Sequence, residues 1–385
     1  MNECVLDFSI AQFSENVPLV PFSGLMDSPS GGSFHRGGPV WGDWEIAGRK
    51  RYLNRGNPAD DKPDLLREPQ DKLGGLSAWI GPQFPHFGHL IADAATRFLA
   101  TSKQSGIDTF LIGDKEDNQY GLLRPTTRSV LDWFDIDTSR VRVANRPTTS
   151  EVLVTLPQSE QRDRIGPCPK YLDLLTQHQH SKFWNHSGAI FQKCFVSRAG
   201  MPAHIAGESY LEAVFSELGF QIIRPETMSL SDQLWIYVNA NELVFTEGSA
   251  LHSLQLLGSV RARVWVINRR PNGRLGDHLF SPRVSAIDYL EAEIGLIHGC
   301  RLSGEPAPET GLAIPTSHGL SKCLSIISGK NVAINSQEYE KAIKTDVEIW
   351  LKHETKQKRY GHSSYLSTLM KSVKNAGLEG LSLRF

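Results

Sequence analysis

Residues 220–267 read FQIIRPETMSLSDQLWIYVNANELVFTEGSALHSLQLLGSVRARVWVI. Short apolar runs in this stretch predict strands, at 220–223, 243–245 and 263–267. Amphipathic segments between them predict helices, at 230–240 and 248–257. A further strand at 191–196 and a helix at 208–218 precede them, so strands and helices alternate throughout. Because parallel strands need crossover connections, this alternation predicts a parallel sheet covered by helices.

The N-terminal half has a weaker pattern of the same kind. Its predicted strands are 76–80, 109–112, 140–143 and 152–156, and its predicted helices are 88–101, 127–134 and 170–184. Two alternating units predict an α/β protein with two Rossmann-like domains that face a central cleft. We place the domains at 1–185 and 186–385, with C-terminal helices that include a polar amphipathic one at 337–356. The stretches 1–75 and 271–315 are poor in pattern.

Composition narrows the function classes. The chain has 385 residues, with 41 Lys and Arg against 42 Asp and Glu, which argues against binding nucleic acid through bulk charge. The five scattered cysteines predict reduced thiols, and no apolar run is long enough for a membrane span. The N-terminus lacks the basic start of a signal peptide. These features predict a cytoplasmic protein without an integral membrane segment, and they leave its oligomeric state open.

One candidate catalytic group lies on the predicted 88–101 helix. His89, Asp93 and Arg97 are spaced at i, i+4 and i+8, so they form one polar stripe opposite the apolar face. A histidine beside a carboxylate is a common general-base pair. The alternative is an ordinary solvated helix face with pairing at i and i+4. The position after a strand end favours the functional interpretation, because sites in α/β proteins form there.

A second group follows two predicted strands of the C-terminal half. Arg198 lies just beyond the 191–196 strand, where its guanidinium group can bind phosphate. The small residues Gly248, Ser249 and Ala250 begin the predicted 248–257 helix, whose first amides suit a diphosphate. The negative carboxylate of Glu247 would repel a phosphate group. We therefore expect it to accept hydrogen bonds from sugar or ribose hydroxyls, or to act as a base.

Two further polar residues are candidates for donor binding. His252 lies one turn into the 248–257 helix and can reach the same ligand, and Gln233 lies in the first turn of the 230–240 helix. Packed or internally satisfied side chains are the alternative at both positions. Metal-binding signatures are weak: the Asp135-Ile-Asp137 sequence has the spacing of a divalent-cation site, but chance explains it better. We therefore expect neither a cofactor nor an obligatory metal.

In this order, the motifs resemble glycosyltransferase family 61. The resemblance covers about residues 80–270, and it rests on FGHLIAD (87–93), VSR (196–198), LGF (218–220), RPE (224–226), LSDQ (230–233) and EGSALH (247–252). It implies a GT-B architecture and an inverting, metal-independent transferase that uses a nucleotide-sugar, commonly a UDP-sugar. Glu247 stands where family members often have histidine.

The resemblance also implies roles for residues. It matches family positions to Arg198, Gln233 and His89. Together with the residue patterns described above, the catalytic candidates are His89, Asp93 and Glu247, and the donor-binding candidates are Arg198, Gln233, Gly248, Ser249, Ala250 and His252. The acceptor would be a glycan or another hydroxyl compound, and one expected role is polysaccharide biosynthesis. The alternatives are a nucleotide- or glycan-binding protein without turnover, and another GT-B-like enzyme such as a pyruvyltransferase.

Overall fold

The computed structural model describes residues 11–25, 35–41, 53–54, 57–58, 60–61, 68–116, 118, 121–161, 165–201 and 204–377. These residues form a mixed α/β structure around one seven-stranded sheet and one five-stranded sheet, with two small two-stranded ribbons. The predicted α/β class is therefore confirmed. The two-domain division at residue 185 stays a prediction.

The seven-stranded sheet contains most of the N-terminal strands. Its order is β5-β2-β1-β9-β6-β7-β8. The strands of this half are β1 (Gln12–Leu25), β2 (His35–Pro39), β3 (Leu53–Asn54), β4 (Asn57–Pro58), β5 (Asp60–Asp61), β6 (Asp71–Pro82), β7 (Thr109–Gly113), β8 (Val141–Ala144) and β9 (Thr148–Thr155).

Only part of this sheet matches the parallel arrangement that we predicted. Strands β9, β6, β7 and β8 pair in parallel. Strand β1 instead pairs antiparallel with both β9 and β2. The sequence did not reveal β1, because Pro18 and Pro21 interrupt its pattern and the strand lies at a distance from the βα units.

The five-stranded sheet confirms the pattern of the C-terminal half. Its order is β11-β10-β12-β13-β14, and every pairing is parallel. The strands of this half are β10 (Lys193–Val196), β11 (Gln221–Ile223), β12 (Glu242–Thr246), β13 (Val260–Ile267) and β14 (Val284–Leu290), followed by the ribbon of β15 (Ile294–Ile297) and β16 (Leu312–Pro315). Strand β14 and the ribbon were not predicted.

Helices cover both sheets at close to the predicted positions. They are α1 (Phe87–His89), α2 (Phe98–Ser102), α3 (Pro125–Trp133), α4 (Pro169–Phe183), α5 (Glu208–Glu217), α6 (Leu230–Asn239), α7 (Asp277–Phe280), α8 (Ser317–Ser328), α9 (Ser336–Glu354) and α10 (Tyr365–Asn375). None of the helices in the ranges described is long and apolar enough to cross a membrane.

Two predicted helices differ in type from the expected α-helix. Between α1 and α2 the chain forms a π-helical turn at Leu90–Ala94 and a 3₁₀ turn at Ala95–Arg97. The helix predicted at 248–257 is a 3₁₀ helix, Ser249–Leu256. Such departures from regular α-helix are frequent next to functional sites.

The two sheets pack against a shared interior. One cluster of buried apolar side chains includes Leu90 and Ile91 of the N-terminal half together with Leu251 and Leu254 of the C-terminal half. Hydrogen bonds reinforce this contact; for example, the indole of Trp133 donates to a backbone oxygen of the second half at 3.2 Å. The beginning of the Ser249–Leu256 helix is therefore held close to α1.

The cysteines depart in part from the prediction of reduced thiols. Cys194, Cys300 and Cys323 are free and buried. Cys168 is disulfide-bonded, which corrects the expectation at that position. Cys4 lies outside the described residues.

Candidate active site between the two sheets

Three strands of the five-stranded sheet end at one edge, and a polar segment follows each. Strand β10 leads to Arg198, β12 leads to Glu247, and β13 leads to Arg269. Because the strands are parallel, their carboxyl ends lie side by side, which is where ligands bind in α/β proteins. Sequence reasoning found Arg198 and Glu247 but missed Arg269.

Arg198 is fixed through its backbone and its side chain. Its N–H donates to Oε1 of Glu208 at 2.7 Å, and its Nη1 donates to Oγ of Ser249 at 3.2 Å. A methyl group on Gly248 would overlap the guanidinium group, so glycine allows the guanidinium group to lie against the backbone here. Burial lowers the pKa of Arg198, and the nearby Glu208 and Glu247 partly offset that effect.

Glu208 stabilises the segment after β10 through hydrogen bonds. The carboxylate is fully buried and accepts a second hydrogen bond from Oγ1 of Thr246, at 2.8 Å. Burial raises the pKa of Glu208, and its hydrogen bonds act in the opposite direction. Glu208 therefore links the ends of β10 and β12.

Arg269 brings a second guanidinium group to the same edge. Only 7% of its surface is exposed, and its Nη1 donates to the carbonyl oxygen of Gly311 at 3.3 Å. Within the described part of the chain, its buried Nε has no hydrogen-bond partner. Burial lowers the pKa of Arg269 to about 10, and the positive charges of Arg198 and Arg270 contribute to that shift. Two buried guanidinium groups so close together are characteristic of an anion site.

Glu247 contacts a turn that lies later in the chain, which the sequence did not predict. Its Oε2 accepts the backbone N–H of Arg269 at 2.9 Å and that of Arg270 at 3.0 Å. Its Oε1 accepts Nε of Arg270 at 2.9 Å and also pairs with Nη2 of that residue. A carboxylate has about four acceptor positions, and these bonds fill them. Glu247 thus anchors the 269–270 turn, and its expected role as an acceptor of sugar hydroxyls or as a base stays a prediction.

The small residues after Glu247 form the start of a helix, as expected. Gly248 has extended backbone, and the Ser249–Leu256 helix begins directly after it. Its first amides carry the partial positive charge of a helix N-terminus. Ala250 is buried, whereas part of Ser249 is accessible next to Arg198. The 248–250 turn thus lies near the guanidinium groups of Arg198 and Arg269. The sequence predicted that Arg198 and this turn lie close together.

Gln233 lies on α6 and contacts the Ser249–Leu256 helix. Its amide nitrogen donates to the hydroxyls of Tyr237 and Ser253, both at 2.9 Å. Both amide hydrogens are therefore used within the protein, and Gln233 fixes the Ser249–Leu256 helix against α6. Direct donor binding by Gln233 stays a prediction.

The candidate base belongs to the N-terminal half. Nδ1 of His89 lies 2.6 Å from Oδ2 of Asp93, and the carboxylate is almost completely buried. The main-chain oxygen of Asp93 accepts the side-chain amide of Gln158 at 2.6 Å. The predicted pairing at i and i+4 is thus present, within the π-helical turn. About a quarter of the His89 side chain remains exposed.

Gly88 brings the two halves of the site together. A methyl group at this position would lie 3.1 Å from His252, 3.2 Å from Cβ of Ser249 and 3.3 Å from His86. The residue next to His89 therefore packs directly on the Ser249–Leu256 helix, which brings the His89–Asp93 pair near the Arg198–Ser249 pair. His86 itself was missed as a functional candidate.

His252 belongs to a buried polar network that sequence reasoning did not find. Its Nδ1 lies 2.7 Å from Oε1 of Gln255, and the Gln255 amide donates to Oε1 of Glu160 at 3.1 Å. Glu160 accepts two hydrogen bonds from Arg283, at 2.7 and 2.8 Å, with both side chains inaccessible to solvent. The network joins the loop after β9 to the Ser249–Leu256 helix, and only tertiary structure assembles it.

The Asp135-Ile-Asp137 sequence has local partners. Oδ1 of Asp135 pairs with Lys182 at 2.7 Å, and Asp137 accepts the backbone N–H of Ser139 at 2.9 Å. Among the described residues, no group of three or more histidine, cysteine or acidic side chains could hold a metal ion. These two aspartates therefore serve local structure.

The comparison with family models matches a segment that contains part of this site, including His89, Arg198 and Glu247, but not Arg269. Residues 87–258 match the family described as Glycosyltransferase 61. The match begins at α1, beside His86 and His89, and it ends just after the Ser249–Leu256 helix. No curated protein matches the chain.

Proposed function

Because residues 87–258 form a glycosyltransferase 61 domain, we propose that the protein transfers a sugar, with inversion, from a nucleotide-sugar to a hydroxyl of a glycan acceptor. A UDP-sugar is the proposed donor. The observation that carries the proposal is the pair of buried guanidinium groups of Arg198 and Arg269 beside the Ser249 helix start, with the His89–Asp93 pair across Gly88.

The donor's diphosphate would bind Arg198, Arg269 and the amides of the 248–250 turn. Burial, and next the positive charges of Arg198 and Arg270, lower the pKa of Arg269, so the charged form is destabilised in the site. A bound diphosphate would neutralise these charges and accept a hydrogen bond from Nε of Arg269, which is buried without a partner among the residues described. The same groups would stabilise the negative charge that develops on the leaving nucleotide, a task that a divalent cation performs in other transferases.

The acceptor would be activated by His89. Asp93 accepts Nδ1–H of the imidazole, so Nε2 carries the lone pair in the neutral ring. Nε2 would take the proton of the acceptor hydroxyl while that oxygen bonds to the anomeric carbon. The bond from this carbon to the diphosphate breaks at the same time, and its electron pair leaves with the nucleoside diphosphate. Asp93 would orient the ring and stabilise its charged form.

The arrangement of these groups favours a GT-B-like organisation. The proposed base belongs to the N-terminal half, and the proposed diphosphate ligands belong to the C-terminal half. An inverting displacement needs the base and the leaving group on opposite sides of the sugar, and groups on two facing lobes meet that need.

Titration calorimetry and a thermal-shift panel would test the donor assignment. We expect UDP and one or more UDP-sugars to raise the melting temperature, because a ligand that binds only the native state stabilises it. Arg198→Ala should weaken UDP binding, and His89→Ala should leave it intact but abolish most transfer. Protection by phosphoenolpyruvate and not by nucleotides would point to a pyruvyltransferase instead. UDP binding without donor hydrolysis or transfer would indicate a protein without turnover.

A further inference from the structure

His86 lies where the two halves of the proposed site meet. It immediately precedes α1, and its ring is exposed to solvent on one side. The ring packs edge-on against His89, with centroids 5.4 Å apart. The Gly88 contacts bring His86 next to Ser249 and His252 of the donor-side helix. Its imidazole therefore lies near the turn on which we propose that the diphosphate binds.

Mostly positive groups surround this ring. Burial has the largest effect and lowers the pKa of His86 to about 4. His89 on the same segment, Arg198 beyond β10 and Arg269 beyond β13 lower it further, while Asp93 raises it. His252, on the helix packed against α1, is the other titratable group beside the ring. At neutral pH the unliganded site therefore holds a neutral imidazole beside two guanidinium groups.

We propose that His86 is a third ligand of the donor's diphosphate and that it takes up a proton from solvent when the diphosphate binds. This inference rests on the proposed function. A diphosphate neutralises Arg198 and Arg269, and it adds negative charge next to the ring, so the protonated imidazole becomes the favoured form. The protonated ring then donates a charge-assisted hydrogen bond to a phosphate oxygen.

The proposal predicts how affinity depends on pH. A ligand that raises the pKa of a group binds more tightly in the pH range where only the complex is protonated. If the diphosphate restores the pKa of His86 from about 4 to its ordinary value of about 6.5, affinity should be higher at pH 5 than at pH 8 by at most about 30-fold, because solvent at the exposed ring weakens the effect. Above pH 7 the effect should vanish, because His86 is neutral in both states.

The test compares UDP binding to the wild-type protein and to His86→Gln by calorimetry at pH 5, 6, 7 and 8. UDP titrates its own terminal phosphate in this range, but that contribution is the same for both proteins. His89 and His252 are likewise present in both. We expect the ratio of wild-type to His86→Gln affinity to rise several-fold, and by at most about 30-fold, from pH 8 to pH 5. Repeating the pH 6 titration in buffers of different ionisation enthalpy counts the protons directly, and wild type should take up more.

Two controls make the result interpretable. His318→Gln changes an exposed histidine on α8 and should leave the ratio at one throughout. His86→Asn, checked with His86→Gln by circular dichroism and thermal melting, guards against a folding defect in a single variant. If UDP binds all proteins and the ratio does not change with pH, His86 is not the proton acceptor, although the proposed function stands. If neither UDP nor any UDP-sugar binds the wild-type protein, the donor assignment and this inference both fail.

Discussion

Replacing Arg269 by methionine should separate stability from ligand binding. The guanidinium group is buried near Arg198, and the lowering of its pKa from its ordinary value to about 10 reflects that unfavourable environment. At pH 7 the group is charged in both the folded and the unfolded chain, so the folded state bears the full penalty. The shift corresponds to about 3 kcal/mol of lost stability.

The substitution also removes favourable contacts. The hydrogen bond from Nη1 of Arg269 to the Gly311 carbonyl is lost, at about 1 kcal/mol, and methionine replaces part of the aliphatic packing. The net expectation is that the free energy of unfolding of Arg269→Met is unchanged or rises by up to about 2 kcal/mol. Urea denaturation followed by circular dichroism measures this quantity.

Ligand binding should change in the opposite direction. Loss of a charge-assisted hydrogen bond costs about 1.5–3 kcal/mol, so UDP affinity should fall about 10- to 150-fold. Calorimetry with UDP checks this. Arg270→Met is the matched control: it removes the partner of the buried Glu247 carboxylate and should destabilise the protein by about 1–3 kcal/mol. A less stable Arg269→Met protein with unchanged UDP affinity would refute the anion-site reasoning.

Three other substitutions have expected outcomes. Asp93→Asn should lower kcat by about 10²–10⁴-fold with UDP affinity unchanged, since the carboxylate orients the base; unchanged turnover would exclude that role. Gly248→Ala should displace the Arg198 guanidinium group and weaken UDP binding about tenfold or more by calorimetry, whereas Gly361→Ala, which meets no neighbour, should not. Glu160→Ala should lower the free energy of unfolding by about 3–5 kcal/mol in urea titrations, because it leaves Arg283 charged and buried without its carboxylate; a small change would mean that solvent reaches Arg283.

The strand ends show what the sequence could predict. Period and turn residues identified β10, β12 and β13, and parallel pairing then brought Arg198 and Gly248 to one edge. The same rule, applied to the end of β13, would have identified Arg269. It was missed because the pattern after residue 270 is irregular, although the strand before it was predicted correctly.

Other features depend on contacts that no local pattern encodes. Glu247 could be placed at a strand end, but its partners come from a turn more than 20 residues later, and they determine whether its oxygens are available. The packing of His86 beside Ser249 depends on how α1 meets the second half. Strand β1 adds antiparallel pairs to a sheet that was predicted as parallel. This strand is recognised only from its pairing with β9 and β2 in the structure.

Both cationic turns are held in the same way. Buried Glu208 accepts the backbone N–H of Arg198, and buried Glu247 accepts the backbone N–H groups of Arg269 and Arg270. These carboxylates fix the main-chain positions of Arg198, Arg269 and Arg270 by accepting their backbone N–H groups. Fixed positive groups need little reorganisation when negative charge develops, which is the basis of electrostatic preorganisation. If the proposed diphosphate binds here, the two acids help to form its site by holding the arginines in place, although their own charge is negative.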